Sequence, residues 1–373
     1  MKPTILFLLA IPMFAASPAE TAIRQAAANV AKQPSHYPFY NELAAAYVRR
    51  AGETADSRYY NQAEESLGRS FAISPENFDG LKVEATIQLG RHQFEQALET
   101  STRLNKLSPD DVAVYGVIVD ADLALGHYQD AVTQAQWMLN LREDNVPGLV
   151  RAATLRELYG RLSGALELLE KANDRLPASE SEQRARVLAQ TSHVELLNGD
   201  LAKAESAANA AQTAFPDSDA ALAALAQVRL AQARYPEAVE LLRRQSTAAP
   251  RTETLYTLAE AQELAGEHRD AADSFREFER QALAQSSLAD NANRDLIFYY
   301  LDHASQPAIA LDLARREAAR RQDVITLDAY AWALAANGDY QAASQELQKA
   351  LLMGVKDPTL LRHASVIGSH LHQ

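Results

Sequence analysis

The chain has 373 residues, 47% hydrophobic and 23% charged, with a formal net charge of -13. That is enough apolar chain for a large core, and too acidic a balance for a general nucleic-acid binder, whose phosphate contacts need Lys and Arg. With 14 Gly and 14 Pro the chain is neither collagenous nor linker-rich, and with no Cys it has no disulfide, thiol nucleophile or Cys-ligated metal.

Lys2 precedes an apolar run, Thr4 to Phe14, that is too short to span a bilayer, and small residues follow. This composition predicts a secretory signal peptide over 1–19, cut after Ala19, since Ser17 and Ala19 offer the small side chains that the cut needs. No Cys follows the apolar run and no later run is apolar enough for a membrane span. The mature protein is therefore expected to be exported and soluble, in the periplasm or secreted. A lone helix over 20–36 is expected to cap the N-terminal end.

A pattern then recurs. "ALGHYQDAV" (Ala124 to Val132) is echoed by "LYGRLSGAL", "LNGDLAKAE", "LAGEHRDAA" and "ANGDYQAAS". One alanine keeps time: Ala63, Ala97, Ala131, Ala165, Ala204, Ala238, Ala271, Ala310 and Ala343, spaced by 34, 34, 34, 39, 34, 33, 39 and 33 residues. A second small residue precedes each turn: Ala44, Ala85, Val119, Ala153, Ser192, Ala226, Ala259 and Ala331. Pro75, Pro109, Pro177, Pro216 and Pro250 close five of the units. Glycine ends a first helix without a Cβ clash. Two facing small residues let antiparallel helices approach closely, and proline stops the second helix. The eighth unit is degenerate, with Arg294, Phe298 and Ser305 where a large apolar residue, a small residue and the glycine belong. "DPTLLRHASVIGSHLHQ" (357–373) reads as a C-terminal capping helix, so that both ends of a stack over 37–356 are covered.

The period and its pattern resemble the tetratricopeptide repeat (TPR). The resemblance implies an all-α, right-handed superhelical α-solenoid of about nine helix–turn–helix units with helical caps. It predicts some nineteen helices after the leader and no sheet.

No sequence motif for chemistry is present. There is no phosphate loop, dinucleotide fingerprint, nucleophile elbow or HExxH. His363, His370 and His372 read as residues of the cap and its tail rather than metal ligands. Arg315, Arg316, Arg320 and Arg321 read as a solvated convex face. No cofactor, metal or catalytic residue is expected, and the chain is read as a non-enzymatic scaffold.

By resemblance, the first helices line a concave groove. With their small residue as the eighth position, the second, fifth, ninth, twelfth and thirteenth face that groove. These positions hold nine acids, Asp79, Asp120, Glu157, Glu253, Glu260, Glu263, Asp295, Asp302 and Asp328, against Arg49, Lys82 and Arg186. A carboxylate clamp is excluded, because Thr86 stands where its asparagine belongs and Val117 follows. The candidate partner-binding groove is Glu253, Tyr256, Glu260, Glu263, Asp295, Tyr299, Asp302, Asp328 and Trp332. Acids with aromatic surface suit a protein or peptide segment carrying basic residues, in assembly of envelope or secreted components. The alternative reading is a small or polymeric ligand such as envelope polysaccharide, with Tyr256, Tyr299 and Trp332 stacked on sugar rings.

Overall fold

The structure, a computed structural model, describes residues 17–54 and 56–371. Most of the expected leader, residues 1–16, and His372 therefore lie outside the described residues. The described residues form helices and no strand. The nine units supply first helices α2 (Tyr37–Thr54), α4 (Phe78–Gly90), α6 (Val112–Leu125), α8 (Val146–Leu158), α10 (Ser181–Leu197), α12 (Asp219–Ala231), α14 (Thr252–Leu264), α16 (Asn293–Phe298) and α18 (Val324–Ala336). Their second helices are α3 (Arg58–Ile73), α5 (Phe94–Leu107), α7 (Tyr128–Leu141), α9 (Leu162–Arg175), α11 (Leu201–Ala214), α13 (Tyr235–Ala248), α15 (His268–Gln285), α17 (Pro307–Arg320) and α19 (Tyr340–Leu351). Helices α1 (Pro18–Lys32) and α20 (Pro358–Leu371) flank them. The whole is a right-handed superhelical solenoid.

All nine timekeeping alanines are buried, none more than 1% exposed. Ala44 clusters with Ala63, Val119 with Ala131, Ala153 with Ala165 and Ala331 with Ala343, and the Ser192 hydroxyl donates to the Ala204 carbonyl at 2.8 Å; Ala85, Ala226 and Ala259 are buried too. A larger side chain at such a contact overpacks it, at a cost of roughly 1–3 kcal/mol. Between units, Asn145 joins one repeat to the next. Its Oδ1 accepts the Gly148 N–H at 2.7 Å, while its Nδ2 donates to the carbonyls of Met138 and Arg142.

Two details depart from expectation. The N-terminal cap starts at Pro18, not residue 20. Ser17 Oγ accepts the Glu20 N–H at 3.1 Å, Glu20 answers the Ser17 N–H, and the Ala19 N–H donates to Glu53 Oε1 at 3.0 Å. In the eighth unit one π-helical turn, Tyr299–His303, follows α16. The extra residue shifts the register. Ile297 takes the buried place of the small residue, and Phe298 takes the groove-facing ninth place expected for Tyr299.

The superhelix also closes on itself. The Tyr128 hydroxyl accepts the Val324 N–H at 2.8 Å, and Tyr128 and Leu158 pack into the ninth unit's core against Val324, Leu327 and Ala331. Gly126 (φ 83°) and Gly160 (φ 65°) end first helices in the left-handed region. They also touch distant chain: a Cβ on Gly126 would lie 2.6 Å from the Gln322 carbonyl oxygen, and one on Gly160 would strike that of Gly354. Across the groove, Arg49 binds Glu182 at 2.9 Å.

Gly338 has the same backbone as Gly126 (φ 86°), but a Cβ added there would meet nothing within 4 Å. Gly338→Ala is therefore expected to cost roughly 1–2 kcal/mol, the left-handed strain alone. Gly126→Ala is expected to cost more and to raise the radius of gyration by X-ray scattering, because the seam must part. Equal costs with unchanged dimensions would mean that the seam contributes nothing to closure.

Candidate functional site

Units seven and eight bring five of the expected groove carboxylates together. Glu253, Glu260 and Glu263 come from α14, Asp295 from α16, and Asp302 from the π turn. His303, which sequence reasoning missed, sits 3.7 Å from Glu260 and 3.3 Å from Glu263. Its pairing with Glu260 raises its pKa, with the charges of Glu263 and Asp302 adding to the effect. Asp302 accepts the Trp332 indole N–H at 3.0 Å. Asp295 is pushed up to about 7, first by burial and then by the charges of Glu253 and Glu260. The neighbouring cation, Arg294, lowers it but is engaged by Asp323 at 3.2 Å. Among the described residues, no Lys or Arg lies within ion-pair distance of Glu253, Glu260, Glu263, Asp295 or Asp302.

Of three expected groove residues, Tyr256 and Asp328 are buried and Tyr299 is half-buried. Tyr256 is buried against Phe275 and Phe278, with ring centroids 6.0 and 5.3 Å away. The large apolar faces of α15 claim it. Tyr299 packs on the same two phenylalanines as the π turn rotates it from the groove. Asp328 is buried and bound through both oxygens to His363 Nδ1, at 2.9 and 3.0 Å. His363 is itself fully buried and stacks on Trp332 at 4.2 Å. Trp332 thus bridges the eighth unit, the ninth and the C-terminal cap. The arginine run is likewise not a uniform solvated face. Arg321 is 6% exposed beside buried Glu317, and Arg320 donates to the Ala289 carbonyl.

In the N-terminal half the groove charges are matched. Asp120 takes Arg151 at 2.8 Å, Lys82 takes Asp111 at 2.8 Å, and Glu182 takes both Arg49 and Arg186. Glu157 holds His193 at 3.3 Å and raises its pKa.

Beside the carboxylates of units seven and eight, closure leaves a cleft of about 320 Å³. Leu158, Leu197, Phe298, Ile325, Val355 and Leu360 line it. Distant units meet here, so no local pattern marks it in the sequence. Among the described residues, no group of three or more His, Asp and Glu could hold a metal ion, and no helix is long and apolar enough to cross a membrane.

No protein-family model matches the chain. Human superkiller complex protein 3 is 26% identical over 137 residues, which span 34% of this chain and 9% of that protein. The human IFIT1 dimer with m7Gppp-AAAA is 15% identical with a TM-score of 0.53, covering 90% of this chain and 86% of that one. The APC/C hetero-tetramer Cut9–Hcn1 is 11% identical with a TM-score of 0.49, covering 87% of this chain and about half, 55%, of that one. The fold is that of a TPR-like helical repeat protein.

Proposed function

We propose that this is a non-enzymatic interaction scaffold that holds a segment of a partner protein, rich in Lys or Arg, against the concave wall of carboxylates in units seven and eight. The observation that carries the reading is the set of five carboxylates, Glu253, Glu260, Glu263, Asp295 and Asp302, gathered with His303 as their one basic neighbour within ion-pair distance among the described residues. A groove focuses such a potential on an incoming cation. A phosphate-bearing ligand of the kind seen with human IFIT1 is opposed by the same charge. Sugar stacking is disfavoured because Tyr256 and Tyr299 are committed to packing, which leaves Trp332 alone. The composition of residues 1–19 supports export, and with it a place in assembling envelope or secreted components.

Charge reversal tests the site. Glu260→Lys with Glu263→Lys alters half-exposed side chains and should leave the melting temperature within a few degrees. Partner captured from envelope extract by the unaltered protein should fall away as salt rises, and the double variant should lose it. Capture at the same strength and salt dependence excludes the wall.

Asp295 offers a test without a partner. Its raised pKa means that the folded chain keeps a proton that the unfolded chain releases between about pH 4 and 7, so stability falls as pH rises through that window. Asp295→Asn removes the loss. It should match the unaltered protein near pH 4 and exceed it by about 1–4 kcal/mol at pH 8 in denaturant titrations. Parallel stability curves from pH 4 to 8 would show that neither burial nor its neighbours raise Asp295.

For export, the soluble protein should lie outside the cytoplasm and begin near Glu20. Native material that still starts at Met1 would contradict it. A start at Glu20 would cost α1 its Ser17 cap, roughly 0.5–2 kcal/mol.

A further inference from the structure

We propose that the cleft at the closing seam and the acidic wall beside it form a two-part seat for one partner segment: a large apolar side chain in the cleft, a Lys or Arg on the wall. The inference rests on the groove reading above and specifies what the segment carries.

The cleft is lined mainly by apolar side chains, and Ile325 stands 53% exposed at it. Its 320 Å³ is at the lower end of the size of small-ligand sites, with room for a large aliphatic or aromatic side chain. Its rim carries little unbalanced charge. Glu157 is taken by His193, Asp328 by His363, and Asp357 caps α20 by accepting the Leu360 N–H at 2.9 Å. The cleft itself thus selects for apolar surface.

The wall begins one helical turn away. Phe298 lines the cleft, and Asp295 lies three residues earlier on the same helix. Asp328 borders the cleft, and one turn on, Trp332 donates to Asp302. A turn of helix is about 5.4 Å, so residues a few positions apart in an extended or helical segment reach both places. Charge decides the occupant. The acids next to the cleft favour a segment whose apolar residue is flanked by Lys or Arg over an acidic chain, and over a second copy of this chain at net charge -13.

The probe is a random-peptide phage library panned on the full exported chain, on Ile325→Glu and on Glu260→Lys with Glu263→Lys. On the unaltered protein, selected peptides should pair a large apolar residue with Lys or Arg within a few positions. Replacing that apolar residue by Ala in a selected peptide should weaken binding about ten- to hundredfold. On Ile325→Glu the apolar preference should vanish while the basic one stays, and on the double variant the reverse. If Ile325→Glu selects the same peptides, the cleft is not the seat, although the acidic groove stands. If the double variant still selects Lys and Arg, the groove reading falls. Selection of peptides with neither feature, or of none, overturns both.

Discussion

Everything in this molecule depends on how closely two helices can approach at a pair of small side chains. The alanine of each second helix is buried against its partner helix, nine times over. Each contact sets an interhelical distance and angle. Repetition at a nearly constant period then converts one local geometry into a superhelix. Each contact is small, yet their shared angle decides where distant units end up. Gly126 meets Gln322, and Tyr128 reaches Val324, because the units between them pack alike.

Closure gives the concave side its character. An open solenoid presents a continuous trough. Here the first helix of unit one reaches across to unit five through Arg49 and Glu182. The turns of units three and four abut the ninth unit and the segment before α20. The trough is thereby divided into a charge-matched N-terminal part, a cleft at the seam and an acidic wall. Exposed ion pairs such as Arg58 with Asp56 contribute little to stability. Glu182, 7% exposed, is different, because losing Arg49 or Arg186 would leave a buried carboxylate short of a partner.

The repeat was legible because its cause is local and recurrent. A small residue, a turn glycine and a proline each act within a few residues, and nine copies expose the period. What escaped the sequence depends on distant or singular contacts. Gly126 and Gly160 have a sufficient local reason to be glycine, so their second role at the seam leaves no separate trace. The π turn inserts one residue into one degenerate unit, and the choice of register falls to the packing of Tyr299 on Phe275 and Phe278. Family positions placed Glu260, Glu263 and Asp302 on the concave side. They also assigned Tyr256 and Asp328 there, and the apolar face of α15 and the imidazole of His363 hold these inside. His303 and His363 are scattered in sequence, and only the fold shows that each serves carboxylates.

The distribution of charge carries the last step. Where the N-terminal half sets an acid on its concave side, an Arg, Lys or His of the same chain commonly answers it, as Arg151 answers Asp120. Units seven and eight follow it only in part: His303 answers Glu260 and Glu263, while Glu253 and Asp295 have no such partner, and burial, with the charges of Glu253 and Glu260 added, pushes Asp295 up to about 7. A carboxylate raised in this way lowers stability near neutral pH, since folding buries it and sets like charges beside it. On the proposed reading a cation docked there would draw Asp295 toward its ionised form and offset the repulsion, with release of a proton. Binding to the folded state alone adds stability by mass action. On the proposed reading, a basic partner would gain where the free protein is weakened, and affinity and stability would be linked through the same five carboxylates.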